Sequence, residues 1–430
     1  MIKKYYPSID ETIFEHQFSN QLKLAIIPKP GFAKTEVNLA VRFGSLDQKI
    51  LIKNQKEPLE YPQGIAHFIE HLLFESDESN PTQEFARIGA SVNAYTTYDR
   101  TNYYFSTTNG AIEGIRLLVD MVFSPKFTKK SVTKEAKIIC QEISMYDDDY
   151  EQKIYIDFLR KMYENHPITH DIAGTVDSVT NTSFDTIKKA YHTFYHPSNM
   201  VMVIVGDVDS EKLIAFIGSL LDQYRISGNE IEKRILVEDK IVTNADFQII
   251  RQEVAVPMMM MGLRLKLGAE TSAFDQTLND VKLSFLLSGV FGKGAKPYHQ
   301  LMKKRLINDS FDFFESFESS YGHVIVFTET KYVEETRLAL TETFEKMVKN
   351  VPDKQQFYLA KRKIIGEYLS IFNNISHLAN SFLDYYIKGI NMIEFYESLE
   401  TLSYQDILNI RNSINLETIM TLVYIPKDDK

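Results

Sequence analysis

The sequence predicts an α+β protein built from two similar α/β sandwich domains, each an antiparallel-rich sheet packed with helices. Three observations predict it. The same order of elements, strand, helix, strands, helices, strand, is written twice along the chain. Strands follow one another in pairs rather than alternating singly with helices, which disfavours a doubly wound parallel sheet. Of the 430 residues, 44% are hydrophobic and 25% charged, ordinary globular composition with enough apolar sequence for two cores.

The first half opens on a strand, TEVNLAVRFGSLD around Val37, and the second on QEVAVPMMMMGLRLKLG around Val254. Matched elements lie about 220 positions apart. The four methionines Met258 to Met261 read as a buried strand. Each strand leads into a helical segment, GIAHFIEHLLFES in the first half and FDQTLNDVKLSFLLSG in the second. Then come runs dense in aromatic and β-branched residues, SVNAYTTYDRTNYYFSTT and FDFFESFESSYGHVIVFTET, which read as strands. The helices KEAKIICQEISMYDDD and FYLAKRKIIGEYLSIF look like partners, and NMVMVIVGDVD and ETIMTLVYIPKD close the halves as strands. The charged stretch SGNEIEKRILVEDK lacks apolar periodicity and reads as a linker. The expected domains are therefore residues 1–225, a linker at 226–245, and 246–430.

The formal net charge of −10 and the lack of a long basic run argue against nucleic-acid binding. One cysteine, Cys140, excludes an internal disulfide and a thiolate metal cluster. No run has the roughly 18 apolar residues of a membrane span. The opening MIKKYYPSIDETIFEH does not look like a secretory signal. A cytoplasmic chain without a membrane span is the expectation.

The chemistry concentrates in His67-Phe68-Ile69-Glu70-His71. Its apolar neighbours recur at helical spacing, and residues four apart lie about 40° apart on a helix. Both imidazoles can then reach one metal ion. Glu70, one residue before His71, stands near the open side of that metal and can take a proton from a metal-bound water. A catalytic zinc takes three protein ligands, so a carboxylate should arrive from elsewhere. The helix around VTKEAKIICQEIS offers Glu135 and Glu142, seven residues apart and within about 20° of one face. One can ligate while the other supports a ligating histidine. His299 stands alone, His323 lies in a strand-like run, and His166, His170, His192 and His196 have no ligand-type spacing on one helix; all six read as structural.

These residues resemble the pitrilysin, insulin-degrading and mitochondrial processing peptidases, the inverzincin zinc metallopeptidases, in the short bacterial Gram-positive type of about 430 residues. The resemblance rests on F-G-S-x-D at Phe43 to Asp47, the H-x-x-E-H helix, G-A-x-x-N-A-x-T at Gly89 to Thr96, the Glu135/Glu142 pair, and YHPSNMVMVIVGDVD. It implies that the chain is half of a clamshell, with an N-terminal catalytic zinc-binding domain and a similar C-terminal domain without metal. It implies His67, His71 and Glu142 as ligands of Zn2+, Glu135 as their support and Glu70 as the catalytic base. It also implies Asn93, Ala94 and Tyr95 as the edge strand on which a peptide substrate is laid. The implied activity is zinc-dependent endopeptidase cleavage of short or unfolded peptides in a dimeric chamber. Catalytic relatives also carry an Arg and a Tyr about seven residues apart in the second half of a clamshell. Here Arg305 is followed at that interval by Asp312, and Tyr298 and Tyr321 are wrongly spaced. A heterodimer in which a paralogous chain supplies the pair is the expectation, with a homodimer as the competing account. The alternatives from other classes are a catalytically silent subunit that binds peptides or serves as scaffold, and a different zinc hydrolase or metal store on the same ligands.

Overall fold

A computed structural model describes residues 1–75, 80–146, 148–224, 231–235, 239, 246–268, 272–350 and 353–427. The chain forms two compact units. The first holds Met1–Met145, His170–Leu236 and Leu369–Ile393; the second holds Tyr146–Thr169, Val237–Tyr368 and Glu394–Lys430. Each unit contains one segment drawn from the sequence of the opposite half.

The strands of the first unit are β1 (Ile2–Tyr6), β2 (Glu11–Gln17), β3 (Lys23–Pro28), β4 (Thr35–Val41), β5 (Lys49–Ile52), β6 (Leu59–Glu60), β7 (Ser91–Thr96), β8 (Thr101–Thr107), β9 (Met200–Gly206) and β10 (Ile231–Arg234). Those of the second are β11 (Phe247–Gln252), β12 (Met258–Arg264), β13 (Asp312–Phe317), β14 (Gly322–Glu329) and β15 (Met420–Pro426). The larger sheet runs β1-β2-β3-β9-β4-β8-β7, and the sheet of the second unit runs β11-β15-β12-β14-β13. Dropping β1 and β2, the two orders are the same, and so are the directions. β3 pairs with β9, and β11 with β15, in parallel; every other neighbouring pair is antiparallel. The repeat expected from the sequence is reproduced at β4/β12, β7/β13, β8/β14 and β9/β15; the parallel partners β3 and β11, and the extension β1 and β2, were not announced by it.

Central strands carry the apolar runs because both faces are covered. All seven residues of β4, of β9 and of β12, methionines included, are buried. In the second unit the helix Tyr150–Met162 packs on β12 and β15, burying Ile154, Ile156, Phe158, Leu159 and Met162. Gly262 on β12 makes room for it: a Cβ there would crowd the Phe158 ring and the Val324 carbonyl. In the first unit the helix Ile375–Tyr386 packs on β4 and β9, burying Ile375, Leu378, Ala379, Phe382 and Leu383. Ser376 donates to Glu36 at 2.9 Å, and Arg100 pairs with Asp384.

Of the stretch read as a linker, β10 is a strand paired with β5 in a small three-stranded sheet. Arg234 on β10 reaches Asp47 at 2.5 Å. Asp239 accepts from Arg264 at 2.7 Å and from the backbone N–H groups of Glu164 and Asn165. Positions 226–230, 236–238 and 240–245 lie outside the described residues. Among the described residues no helix is long and apolar enough to cross a membrane.

Candidate metal centre

The helix Ile65–Phe74 turns one face inward through Ile65, Ala66, Phe68, Ile69, Leu72 and Leu73. The opposite face is left to His67, Glu70 and His71, spaced i, i+3 and i+4. The helix starts at Gly64, which has φ of 79° and stands where a Cβ would run into the Ala173 carbonyl, so glycine is required on two counts. It lies beside β7 at the edge of the sheet.

The helix Lys129–Tyr146 brings up the carboxylates. Glu142 Oε1 is 3.8 Å from His67 Nε2, and Glu142 Oε2 is 3.4 Å from His71 Nε2. The two imidazoles stand 4.5 Å apart, centroid to centroid. One donor atom from each of His67, His71 and Glu142 lies within 4.8 Å of the others. Ligands about 2.0–2.1 Å from a tetrahedral metal stand about 3.3 Å from each other, so these separations suit one ion with little movement. Glu135 is buried and its Oε2 lies 3.4 Å from His71 Nδ1. That partner fixes the tautomer, leaving His71 Nε2 to face the centre. His67 Nδ1 is buried with no hydrogen-bond partner among the described residues. Two imidazole nitrogens and a carboxylate are a donor set suited to zinc, which takes three protein ligands in catalytic sites.

Electrostatics keep the histidines different. Burial pushes the His67 imidazole down to about 4, assisted by His71 and opposed by Glu142, so it is neutral at pH 7. Burial also works against the His71 cation. There the Glu135 hydrogen bond and the charges of Glu142 and Glu70 outweigh it, and the net shift is upward. Burial raises the Glu70 carboxyl above its usual range, opposed by a hydrogen bond from Thr96.

Asn93, Ala94 and Tyr95 lie on β7, which among the described residues is the last strand of its sheet and pairs only with β8. One backbone edge of β7 is therefore without a neighbouring strand among the described residues, and the helix bearing His67, Glu70 and His71 packs against β7. Asn93 is exposed and its Oδ1 accepts from the Ala94 N–H at 2.9 Å. Tyr95 is partly buried and its ring packs by Tyr104 at 6.1 Å. The other six histidines set aside above remain apart from this cluster: His323, for example, is buried against Tyr163, 3.0 Å from its hydroxyl. Sequence reasoning assigned no role to Thr96 or Thr101, although Thr96 closes the G-A-x-x-N-A-x-T stretch. Thr96 donates to Glu70 Oε2 at 2.5 Å.

Comparison with known proteins bears on this geometry. Residues 34–176 match the model described as insulinase, peptidase family M16, and residues 181–364 match the peptidase M16 inactive domain. The uncharacterized zinc protease YmfH of Bacillus subtilis (strain 168) is 32% identical over 430 residues, spanning 98% of each chain. The chain belongs to peptidase family M16. The M16-like protein of known structure from Alicyclobacillus acidocaldarius is 27% identical and superposes with a TM-score of 0.91 over 99% of this chain and 100% of that one. The periplasmic protease PqqL from Escherichia coli, 16% identical, shares the fold with a TM-score of 0.75. The match covers 97% of this chain but 48% of PqqL. All the singled-out site residues fall within the M16 segment 34–176, and none falls within the inactive-domain segment.

Proposed function

We propose that this M16 chain is a zinc-dependent endopeptidase that cleaves short or unfolded peptides. The observation that carries the reading is the convergence of His67 Nε2, His71 Nε2 and the Glu142 carboxylate with Glu70 beside them. His67, His71 and Glu142 would hold the ion, and Glu135 would hold His71. Bound zinc would lower the pKa of a coordinated water and polarise the scissile carbonyl. Glu70 accepts the proton of the attacking water and later delivers it to the leaving amine, a cycle its burial favours by bringing its pKa nearer neutrality. The edge strand at Asn93, Ala94 and Tyr95 pairs with the backbone of an extended peptide. Such pairing reads main chain rather than side chains, which suits substrates that have lost their fold.

We further propose that the chain is one half of a dimeric clamshell and its metal-bearing subunit. Two observations support this. The match spans 48% of PqqL, so a relative exists in which a comparable length is about half of one chain. The region from Gly292 to Ser316 carries no Arg/Tyr pair at the spacing of catalytic relatives. A paralogous partner would supply it.

The deciding experiment compares wild type with Glu70→Gln on quenched unstructured peptides, with zinc content measured in parallel. The expected result is about one zinc per chain in both and a 10²- to 10⁴-fold loss of cleavage in the variant. Retained cleavage would refute the assignment. Zinc bound without cleavage by the wild type alone would call for candidate partner chains to be added, and absence of stoichiometric zinc would refute the metal centre.

A further inference from the structure

The hydrogen bond to Glu70 comes from a strand, not from its own helix, and it is backed by a second hydroxyl. Thr96 is the last residue of β7 and stands directly opposite Thr101, the first residue of β8. Thr96 Oγ1 is 2.5 Å from Glu70 Oε2 and 3.2 Å from Thr101 Oγ1. Thr101 is fully buried and donates to the Phe43 carbonyl at 2.9 Å.

A hydroxyl has one proton to give. With the Thr101 proton on Phe43, the Thr96 proton can go to Glu70 or to Thr101, and the nearer, charged acceptor takes it. Among the described residues Thr96 is the donor that Glu70 has. A valine would suit the strand as well as a threonine does, so strand formation alone does not call for the hydroxyl.

The turn that carries these residues is itself held. The N–H groups of Ser45 and Leu46 donate to the carbonyls of Thr97 and Tyr98, at 3.1 and 3.0 Å. Gly44 lies so close to Tyr98 and Asp99 that a Cβ would collide with their backbone. Buried Asp47 takes the Gly44 N–H at 2.9 Å and closes the loop. The F-G-S-x-D element thereby presses on the β7–β8 turn and fixes where Thr96 points.

We propose that Thr96, backed by Thr101 and the Phe43–Asp47 loop, is a positioning residue for Glu70: it holds the carboxylate through Oε2 and ties it to the strand that would carry the peptide. The proposal rests on the endopeptidase reading above. A peptide laid along Asn93 to Tyr95 would then lie on the same rigid strand that aims the base, so bond and base share one frame.

The test uses Thr96→Val, Thr96→Ser and Glu70→Gln in the zinc-loaded protein, with any partner the wild type needs. Thr96→Val should lower kcat about 10- to 100-fold with KM within about twofold and zinc still near one per chain. Thr96→Ser, which keeps the hydroxyl, should recover most of the loss. In a Glu70→Gln background, where cleavage is slow enough for binding to be measured, adding Thr96→Val should leave peptide affinity unchanged. In crystals, Glu70 should occupy one rotamer in wild type and more than one in Thr96→Val. Unchanged kcat in Thr96→Val, a loss confined to KM, failure of serine to rescue, or a single Glu70 rotamer in the variant would overturn the proposal alone. Wild-type cleavage by Glu70→Gln would overturn the endopeptidase reading and this proposal with it.

Discussion

The two units share one sheet plan but differ in what the neighbouring helix offers. In the first, the helix Ile65–Phe74 comes after β4 with the short strands β5 and β6 between; in the second, the helix Ala273–Phe291 directly follows β12, the matching strand, among the described residues. In both, a carboxylate on that helix accepts from the last residue of the edge strand. Glu70 takes the Thr96 hydroxyl, and Asp280 takes the Phe317 N–H at 2.9 Å. The tether between helix and edge strand therefore belongs to the shared architecture. Its chemistry differs because histidines flank the carboxylate in one helix and none is present in the other. The second unit has a buried histidine too, His323 on β14, but it is used for packing between Tyr163 and Tyr321. A metal centre on this fold thus needs only a few side chains added to a frame that both units possess.

Three measurements would break or sharpen that contrast, from the largest expected effect down. His71→Ala removes one of the three donors we propose, so zinc should fall from about one per chain to near none, with cleavage below detection, as read by elemental analysis and peptide turnover. If zinc stayed stoichiometric, the ion would have to be held elsewhere and the contrast between the units would collapse.

A smaller effect is expected from Glu135→Gln, which keeps shape but weakens the acceptor for His71 Nδ1. Zinc affinity should drop about 10- to 100-fold. The pH dependence sharpens the same point. The folded apo-protein raises the pKa of His71 above the ordinary histidine value, so protons compete with zinc from a higher pH than for a free imidazole. Affinity should weaken as pH falls through that range, and the weakening should start lower in Glu135→Gln because one source of the upward shift is reduced. Competition titration with a chromophoric chelator between pH 5.5 and 8 checks it, and an unshifted profile would remove Glu135 from this role.

The mildest effect concerns the second unit. Burial, with Arg264 and His166 nearby, pushes His323 down to about 3. Below the ordinary histidine value the unfolded chain takes a proton that the folded one refuses. Stability therefore falls as pH drops, by at most about 1.4 kcal/mol per pH unit from this group. His323→Gln should flatten the loss of the urea midpoint between pH 6.5 and 5. An unchanged slope would show that other groups govern acid sensitivity.

Much of this was legible in one dimension. The matched strands carry their own patterns: apolar runs in β9 and at Met258 to Leu263 of β12, and in β4 an apolar set at Val37, Leu39, Ala40 and Val41 interrupted by Glu36 and Asn38. His67, Glu70 and His71 could be placed on one helix face because i, i+3 and i+4 is a property of the helix itself. The seven-residue spacing of Glu135 and Glu142 likewise put both on one face, without saying which would meet the histidines. That choice belongs to the packing of two helices: Glu142 ends beside both Nε2 atoms and Glu135 behind His71. Periodicity also gave no sign that the helix Tyr150–Met162 would pack on β12 and β15, or the helix Ile375–Tyr386 on β4 and β9. An amphipathic helix records that it needs a partner but not which sheet it will find.

The sequence by itself therefore determined the repeated α+β plan, the buried strands and the presence of a His, Glu and His face, because these follow from local spacing and hydrophobic pattern. Tertiary structure decided which carboxylate faces the imidazoles, how burial separates the titration of His67 from that of His71, and that Thr96 reaches Glu70 across 26 residues of chain. Those outcomes depend on distances between elements and on exclusion of water, and no pattern along one segment encodes either.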